Sequence, residues 1–123
     1  MSVTLDTGAL LALERGDKRL LALLDRVSQK QQPVLIPAGV VAQAWREPRQ
    51  ARLARLLRSP DVEVVSLDAT AARAVGVLLG KSGTTDTVDA HVALVALGAV
   101  SPVVTSDPDD LRRLGPRLQL HVV

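Results

Sequence analysis

The chain has 123 residues, 47% of them apolar and 23% charged, which is the size and balance of one domain around a single core, so residues 1–123 are read as one unit. No cysteine is present, which excludes a disulfide scaffold, a thiolate zinc site and a cysteine nucleophile, and leaves any metal to oxygen or imidazole ligands. Fifteen basic against thirteen acidic residues leave a net charge of only +2, and Trp45 is the sole aromatic residue, so neither bulk charge nor a base-stacking platform argues for nucleic acid.

Val3-Thr4-Leu5 is a short β-prone run ending at Asp6, and 7–15, with Leu10, Leu11 and Leu13, reads as a helix stopped by Gly16. Asp17 caps a second helix whose Leu20, Leu21, Leu24 and Val27 follow the 3.6-residue period. Pro33 opens a strand over 34–36, and Pro37-Ala38-Gly39 is expected to turn into a helix over 40–47. Pro48 is expected to start another helix, with Leu53, Leu56 and Leu57 on its inner face. The alternating 62–67 is a third strand, Asp68 caps an alanine- and valine-rich helix that ends near Gly80, 81–85 is a loop, and 86–97 is helical with Gly98 as its stop. A fourth strand covers 102–105, Asp107-Pro108 starts a helix, and 118–123 closes as an edge strand. Strands alternating with helices predict an α/β fold of three layers, α/β/α, around a mostly parallel sheet of four to five strands. The N-terminus lacks a basic start with an apolar run, and no stretch of about 18 apolar residues occurs, so a cytoplasmic protein without a membrane partner is expected.

Three groups of carboxylates fall where an open α/β sheet carries its functional groups, beyond the carboxyl ends of strands and at helix starts. They are Asp6, Asp89 with Asp86, and Asp107 with Asp110. If the first and fourth strands are neighbours, Asp6 and Asp107 meet at one end of the sheet. Asp86 and Asp89, three apart, lie about 60° apart on a helix and can both face that cluster, whereas His91 is about 200° round from Asp89. Clustered carboxylates stay ionised together only when cations compensate them, and hard divalent ions such as Mg²⁺ or Mn²⁺ prefer oxygen ligands. Asp86 with Asp89, and Asp107 with Asp110, equally match an N-cap followed by an acid at the third helical position, which stabilises a helix start without any further role.

The segments VTLDTGALLALERGD, VLIPAGVVAQAWREP, DTVDAHVALVA and PVVTSDPDDL, in this order along nearly the whole chain, resemble the four motif regions of PIN-domain ribonucleases, and in particular the VapC-like toxins of bacterial toxin–antitoxin pairs. The resemblance implies a metal-dependent endoribonuclease whose Asp6, Asp89 and Asp107 hold Mg²⁺ or Mn²⁺, with Asp86 and Asp110 as auxiliaries and Thr105 as the hydroxyl residue that supports the last acid. It further implies RNA as substrate, products with 5′-phosphate and 3′-hydroxyl ends, a homodimer, and a small antitoxin that occupies the active-site groove.

One position departs from the pattern. The family places a glutamate in the helix after the second strand, and Gln43 stands there, bringing an amide oxygen but no charge. Glu47, one turn later in the expected helix, is a substitute on the same face, or else a solvated acid paired with Arg46 or Arg49. An alternative reading follows from Gln43: a non-catalytic PIN-like module that binds RNA or a protein partner. Arg46, Arg49, Arg52, Arg55 and Arg58 recur every third residue, and of these Arg46, Arg52, Arg55 and Arg58 form either a basic strip for RNA or a solvated helix face. Trp45 is read as packing, and His91 and His121 are given no role.

Overall fold

Short aliphatic runs form the centre of the computed structural model, which describes residues Met1–Val123. The five strands are β1 (Val3–Leu5), β2 (Val34–Pro37), β3 (Val62–Val65), β4 (Val103–Thr105) and β5 (Leu120–Val122), all parallel, in the order β3-β2-β1-β4-β5. Every residue of β1, β2 and β4 is buried, as expected for parallel strands covered on both faces. The helices are α1 (Thr7–Glu14), α2 (Lys18–Gln29), α3 (Ala38–Ala44), α4 (Ala51–Leu57), α5 (Ala69–Ser82), α6 (Thr87–Ala99) and α7 (Pro108–Leu114).

From β1 the chain moves outward through β2 to β3, then crosses back to β4 beside β1 and continues to β5. Right-handed crossovers therefore lay α1 to α4 on one face and α5 to α7 on the other. The packing agrees: α1 touches α2, α3 and α4, while α5, α6 and α7 touch one another. Over the centre, α6 buries Ala90, Val92, Ala93 and Ala96, small side chains that bring its axis close to the sheet. At the base of the central pair, the buried hydroxyls of Thr4 and Ser101 satisfy each other at 3.0 Å, which removes the cost of two unpaired polar groups in the core.

Several element ends differ from expectation, each for a local reason. Pro37 is the last residue of β2, and α3 begins at once and stops at Ala44 instead of running to Glu47. Pro48 disfavours helical backbone at Glu47, and the Gln50 amide organises the break: its nitrogen donates to the Ala44 carbonyl at 2.9 Å, and its oxygen accepts from the backbone N–H of Arg46 at 2.6 Å and of Glu47 at 3.1 Å. The next helix starts at Ala51 rather than Pro48, and the Glu14 carboxylate of α1 caps it by accepting the Leu53 N–H at 3.0 Å. Strand β3 is shorter than the run 62–67, and α5 continues to Ser82, where Gly83 at φ +68° ends it. Helix α6 passes through Gly98 and is stopped by Val100 in the left-handed region.

Ile36 is fully buried in the middle of β2. Ile36→Ala is expected to cost about 2–5 kcal/mol through lost transfer energy and the cavity left behind, read as a lower urea midpoint; a loss below about 1 kcal/mol would contradict the packing of β2 on both faces.

Candidate functional site

Where the direction of strand progression reverses, the loops leaving two neighbouring strands part and open a crevice beyond the carboxyl edge of the sheet. That reversal lies between β1 and β4, paired through Thr4 with Val103 and Leu5 with Val104. Asp6 leaves β1 and Asp107 leaves β4 by way of Ser106, so sequence-distant carboxylates reach the same crevice.

Three contacts fix these two turns. The Asp6 carboxylate is buried and accepts the Ala9 N–H at 2.9 Å, capping α1. Thr105, fully buried, accepts the Asp107 N–H on its hydroxyl at 2.9 Å, and its side chain favours the charged form of the Asp6 carboxyl, so one side chain stands between both turns. Gly8 packs directly on the other turn: a β-carbon there would overlap Ser106 Oγ and stand 3.3 Å from its Cβ and 3.4 Å from its backbone nitrogen. Neither the approach of Thr105 to Asp6 nor the Gly8 contact with Ser106 has a signal in the sequence, since each joins residues about a hundred positions apart.

The remaining acids arrive on α6 and α7. Asp86 accepts the Asp89 N–H at 2.9 Å, so its capping role is real and it stands at the crevice as well. Asp107 is different: it precedes α7 but makes no side-chain capping bond, which leaves its carboxylate free. Gly39 lies against the first turn of α6, where a β-carbon would be 3.0 Å from Val88 Cγ2, and this close approach brings α3 to the crevice. Gln43 on α3 accepts a hydrogen bond from the Thr7 hydroxyl, next to Asp6. Glu47 lies outside α3 because the helix has ended, so it does not share the face of Gln43, and it is exposed and paired with Arg49 at 2.9 Å. Of the four arginines, Arg46 donates to the Ala42 and Trp45 carbonyls at 3.0 and 2.9 Å, and Arg52 to the Glu14 carbonyl at 3.2 Å. Arg55 and Arg58 are exposed, with Arg52 and Arg55 lining a groove beside Leu21, Leu24 and Asp25 of α2. Trp45 packs against the core. His91 is buried away from the acids near Asp68, and burial lowers its pKa against the opposing pull of that carboxylate.

The acids share one electrostatic field. Burial, then repulsion from Asp86, Asp6, Asp110 and Asp107, pushes the Asp89 carboxyl up to about 6. Burial is also the first cause raising Asp6, assisted by Asp107 and opposed by bonds from Thr105, Ala9 and Gly8. The chain has two ion pairs, Arg49 with Glu47 and Arg112 with Asp109, and neither involves these five residues. No three of the carboxylates stand close enough as they lie to share one ion. Their chemistry nevertheless suits a hard divalent cation: all donors are carboxylate oxygens, their summed charge is unpaired, and the site opens to solvent in a pocket of about 250 Å³ along Asp86, Asp89 and Asp110.

The PIN domain family model matches residues 3–115. The chain belongs to the PIN domain family. Similar solved structures include VapBC2 from Rickettsia felis bound to a DNA fragment from their promoter, at a TM-score of 0.72 and 18% identity over 100% of this chain and 99% of that one. FitAcB from Neisseria gonorrhoeae aligns at 0.64 and 18% over 96% and 95%, and PAE2754 from Pyrobaculum aerophilum at 0.64 and 19% over 98% and 83%. No curated protein matches the chain. The four sequence segments and the parallel five-stranded sheet thus belong to a PIN domain, and no helix of this PIN domain is long and apolar enough to cross a membrane.

The Asp89 shift has a consequence for stability. Between the ordinary value of 3.8 and about 6, the folded state holds a proton that the unfolded chain has released, so the contribution of Asp89 falls as pH rises through that window and is flat above it. In the presence of a chelator, Asp89→Asn is expected to melt higher than the parent at pH 7, with the gap opening between pH 4 and 6; a pH-independent gap would show that Asp89 titrates normally.

Proposed function

We propose that this PIN domain is a metal-dependent endoribonuclease, the toxin of a toxin–antitoxin pair, that hydrolyses RNA phosphodiester bonds at the crevice between β1 and β4. The observation that carries this reading is the convergence of Asp6, Asp86, Asp89, Asp107 and Asp110 in one uncompensated negative field. Asp6, Asp89 and Asp107 would hold Mg²⁺ or Mn²⁺, with Asp86 and Asp110 at the edge of the same site. A cation bound there supplies a Lewis acid for the phosphodiester and a water of lowered pKa. The chain's own residues do the rest. Thr105 holds Asp6 ionisable and keeps Asp107 in register with it, and the buried Asp6 oxygens present a fixed anchor whose geometry does not have to be organised during reaction.

The partners follow from the same reading: RNA as substrate, a small antitoxin that covers the acids, and a second copy of the chain in a homodimer. The antitoxin follows from the resemblance to VapC-like toxins, and VapBC2 is among the similar structures. Arg55 and Arg58, exposed and outside any ion pair, are proposed to contact RNA, with Arg46 and Arg52 as weaker contributors because their guanidinium groups already bond the backbone. The second reading, a non-catalytic module binding RNA or protein, is favoured by the neutral Gln43.

Mn²⁺ is expected to raise the melting temperature of the parent by ligand linkage, and purified protein to cleave RNA only with the ion present. Asp6→Asn and Asp107→Asn should lose most of the thermal response and on the order of a hundredfold or more in cleavage rate, the scale of several kcal/mol of transition-state stabilisation. Variants that respond to Mn²⁺ as strongly as the parent would return Asp6 to helix capping alone and leave Asp107 with no part in binding the ion, and metal binding without cleavage would favour the non-catalytic module.

Gln43 gives a directional test. Gln43→Glu is expected to tighten Mn²⁺ binding and speed cleavage at low Mg²⁺, while lowering apo stability by about 1 kcal/mol because another carboxylate joins the cluster. Glu47→Gln, removing an exposed acid outside α3, is expected to leave cleavage unchanged; a large loss would mean that Glu47 supplies the charge that Gln43 lacks.

A further inference from the structure

An RNA substrate brings its own negative charge to a crevice that holds five carboxylates. A bound divalent ion can offset the scissile phosphate, but the flanking phosphates must still lie against a negative surface, where each costs binding energy unless a cation meets it. The pocket of about 250 Å³ beside the acids contains one such cation. It is lined by Thr84, Thr85, Asp86 and Asp89 on one side and by Asp110 and Arg113 of α7 on the other.

Arg113 differs from the other arginine of the same turn. Arg112 is committed to Asp109 at 3.2 Å. Arg113 makes no ion pair and no hydrogen bond, although three carboxylates line its pocket. Asp110 and Arg113 are three residues apart and therefore project from one face of α7. The guanidinium is exposed with all its donors free, at the rim of the acidic site, and its planar fork matches two oxygens of a phosphate. The pocket has no aromatic lining, so nothing in it can stack on a base.

We propose that Arg113 seats a backbone phosphate next to the scissile bond of single-stranded RNA in the pocket between residues 83–86 and α7, a contact that reads the backbone and not the base. This rests on the endoribonuclease reading above. Arg113 is a substrate-binding residue here; it neither holds the metal nor moves a proton. Such a contact acts alike on ground state and transition state, so it is expressed in KM and leaves kcat nearly untouched.

The experiment is steady-state cleavage of several unrelated single-stranded RNAs by the full chain with Mn²⁺, across a range of salt concentrations. Arg113→Gln is expected to raise KM about tenfold for every sequence with kcat within about threefold of the parent, and to lower the salt slope of log kcat/KM by about 0.7, the share of one single-strand phosphate contact. Arg113→Lys, which keeps the charge and loses the fork, should fall between the two, and Arg112→Gln should match the parent. The rise in melting temperature with Mn²⁺ should persist in Arg113→Gln, because removing a nearby positive charge does not weaken cation binding. An unchanged KM and salt slope in Arg113→Gln overturns the proposal while leaving the nuclease reading intact, as does a loss confined to kcat or to the Mn²⁺ response, which would assign Arg113 to holding the acid site in place. A parent that neither responds to Mn²⁺ nor cleaves RNA overturns both.

Discussion

The pairing of β1 with β4 is the constraint from which the rest of the molecule follows. Strands separated by most of the chain run side by side, with Leu5 beside Val104, and the connections leaving them turn to opposite faces of the sheet. Backbone hydrogen bonding and burial set that neighbour relation: both strands are fully buried, and the Thr4–Ser101 hydroxyl pair fastens their lower ends. Once it exists, the carboxyl edge must open into a crevice, and whatever follows the two strands in sequence must share it. The acids are spatial neighbours because the sheet changes direction there.

Holding like charges in such a crevice costs stability, and the local devices around it limit that cost without removing it. Thr105 and the Ala9 N–H stabilise the ionised form of Asp6, against its burial and the nearby Asp107. Asp89 has no equivalent donor and carries the larger consequence, a carboxyl pushed up to about 6. The acidic end is thus a place where the fold gives up stability, in contrast to the far end of the central strands, where the buried polar groups satisfy one another. Gly8 and Gly39 belong to the same design. Each lets backbone approach a neighbouring element more closely than a side chain would allow, one joining the two acid-bearing turns and the other bringing α3 to α6.

The arginines divide by what already engages them. Arg46 and Arg52 spend their donors on local carbonyls, Arg49 and Arg112 on carboxylates, while Arg55, Arg58 and Arg113 keep theirs free. A threefold spacing in the sequence groups five of these together, yet spacing does not reveal which guanidinium groups the backbone has claimed. The α2–α4 groove and the acidic pocket consequently present different surfaces, the first a mixture of leucines and free arginine, the second carboxylates with a single arginine.

Much of this was legible from the sequence, because it depends on local pattern. The alternation of aliphatic runs with helical periods specified an α/β fold around a parallel sheet, and acids at strand ends and helix starts marked Asp6, Asp89 and Asp107 as one group provided the first and fourth strands were neighbours. Local pattern failed where side chains from other positions intervened. The helix after β2 stops at Ala44 because the Gln50 amide bonds back across the break before Pro48, and this removes Glu47 from the face of Gln43. Asp107 looks like a cap in sequence and is not one, since its backbone bonds Thr105 and its carboxylate is left free. The sequence by itself determined the elements, their order and the identity of the acids, all of which are set by propensity and period over a few residues. Only the tertiary structure decided that Thr105 stands between the Asp107 backbone and the Asp6 carboxyl, that Gly8 is locked against Ser106, and that Arg113 faces the acids unpaired, because each depends on the distance between residues that the chain brings together only on folding.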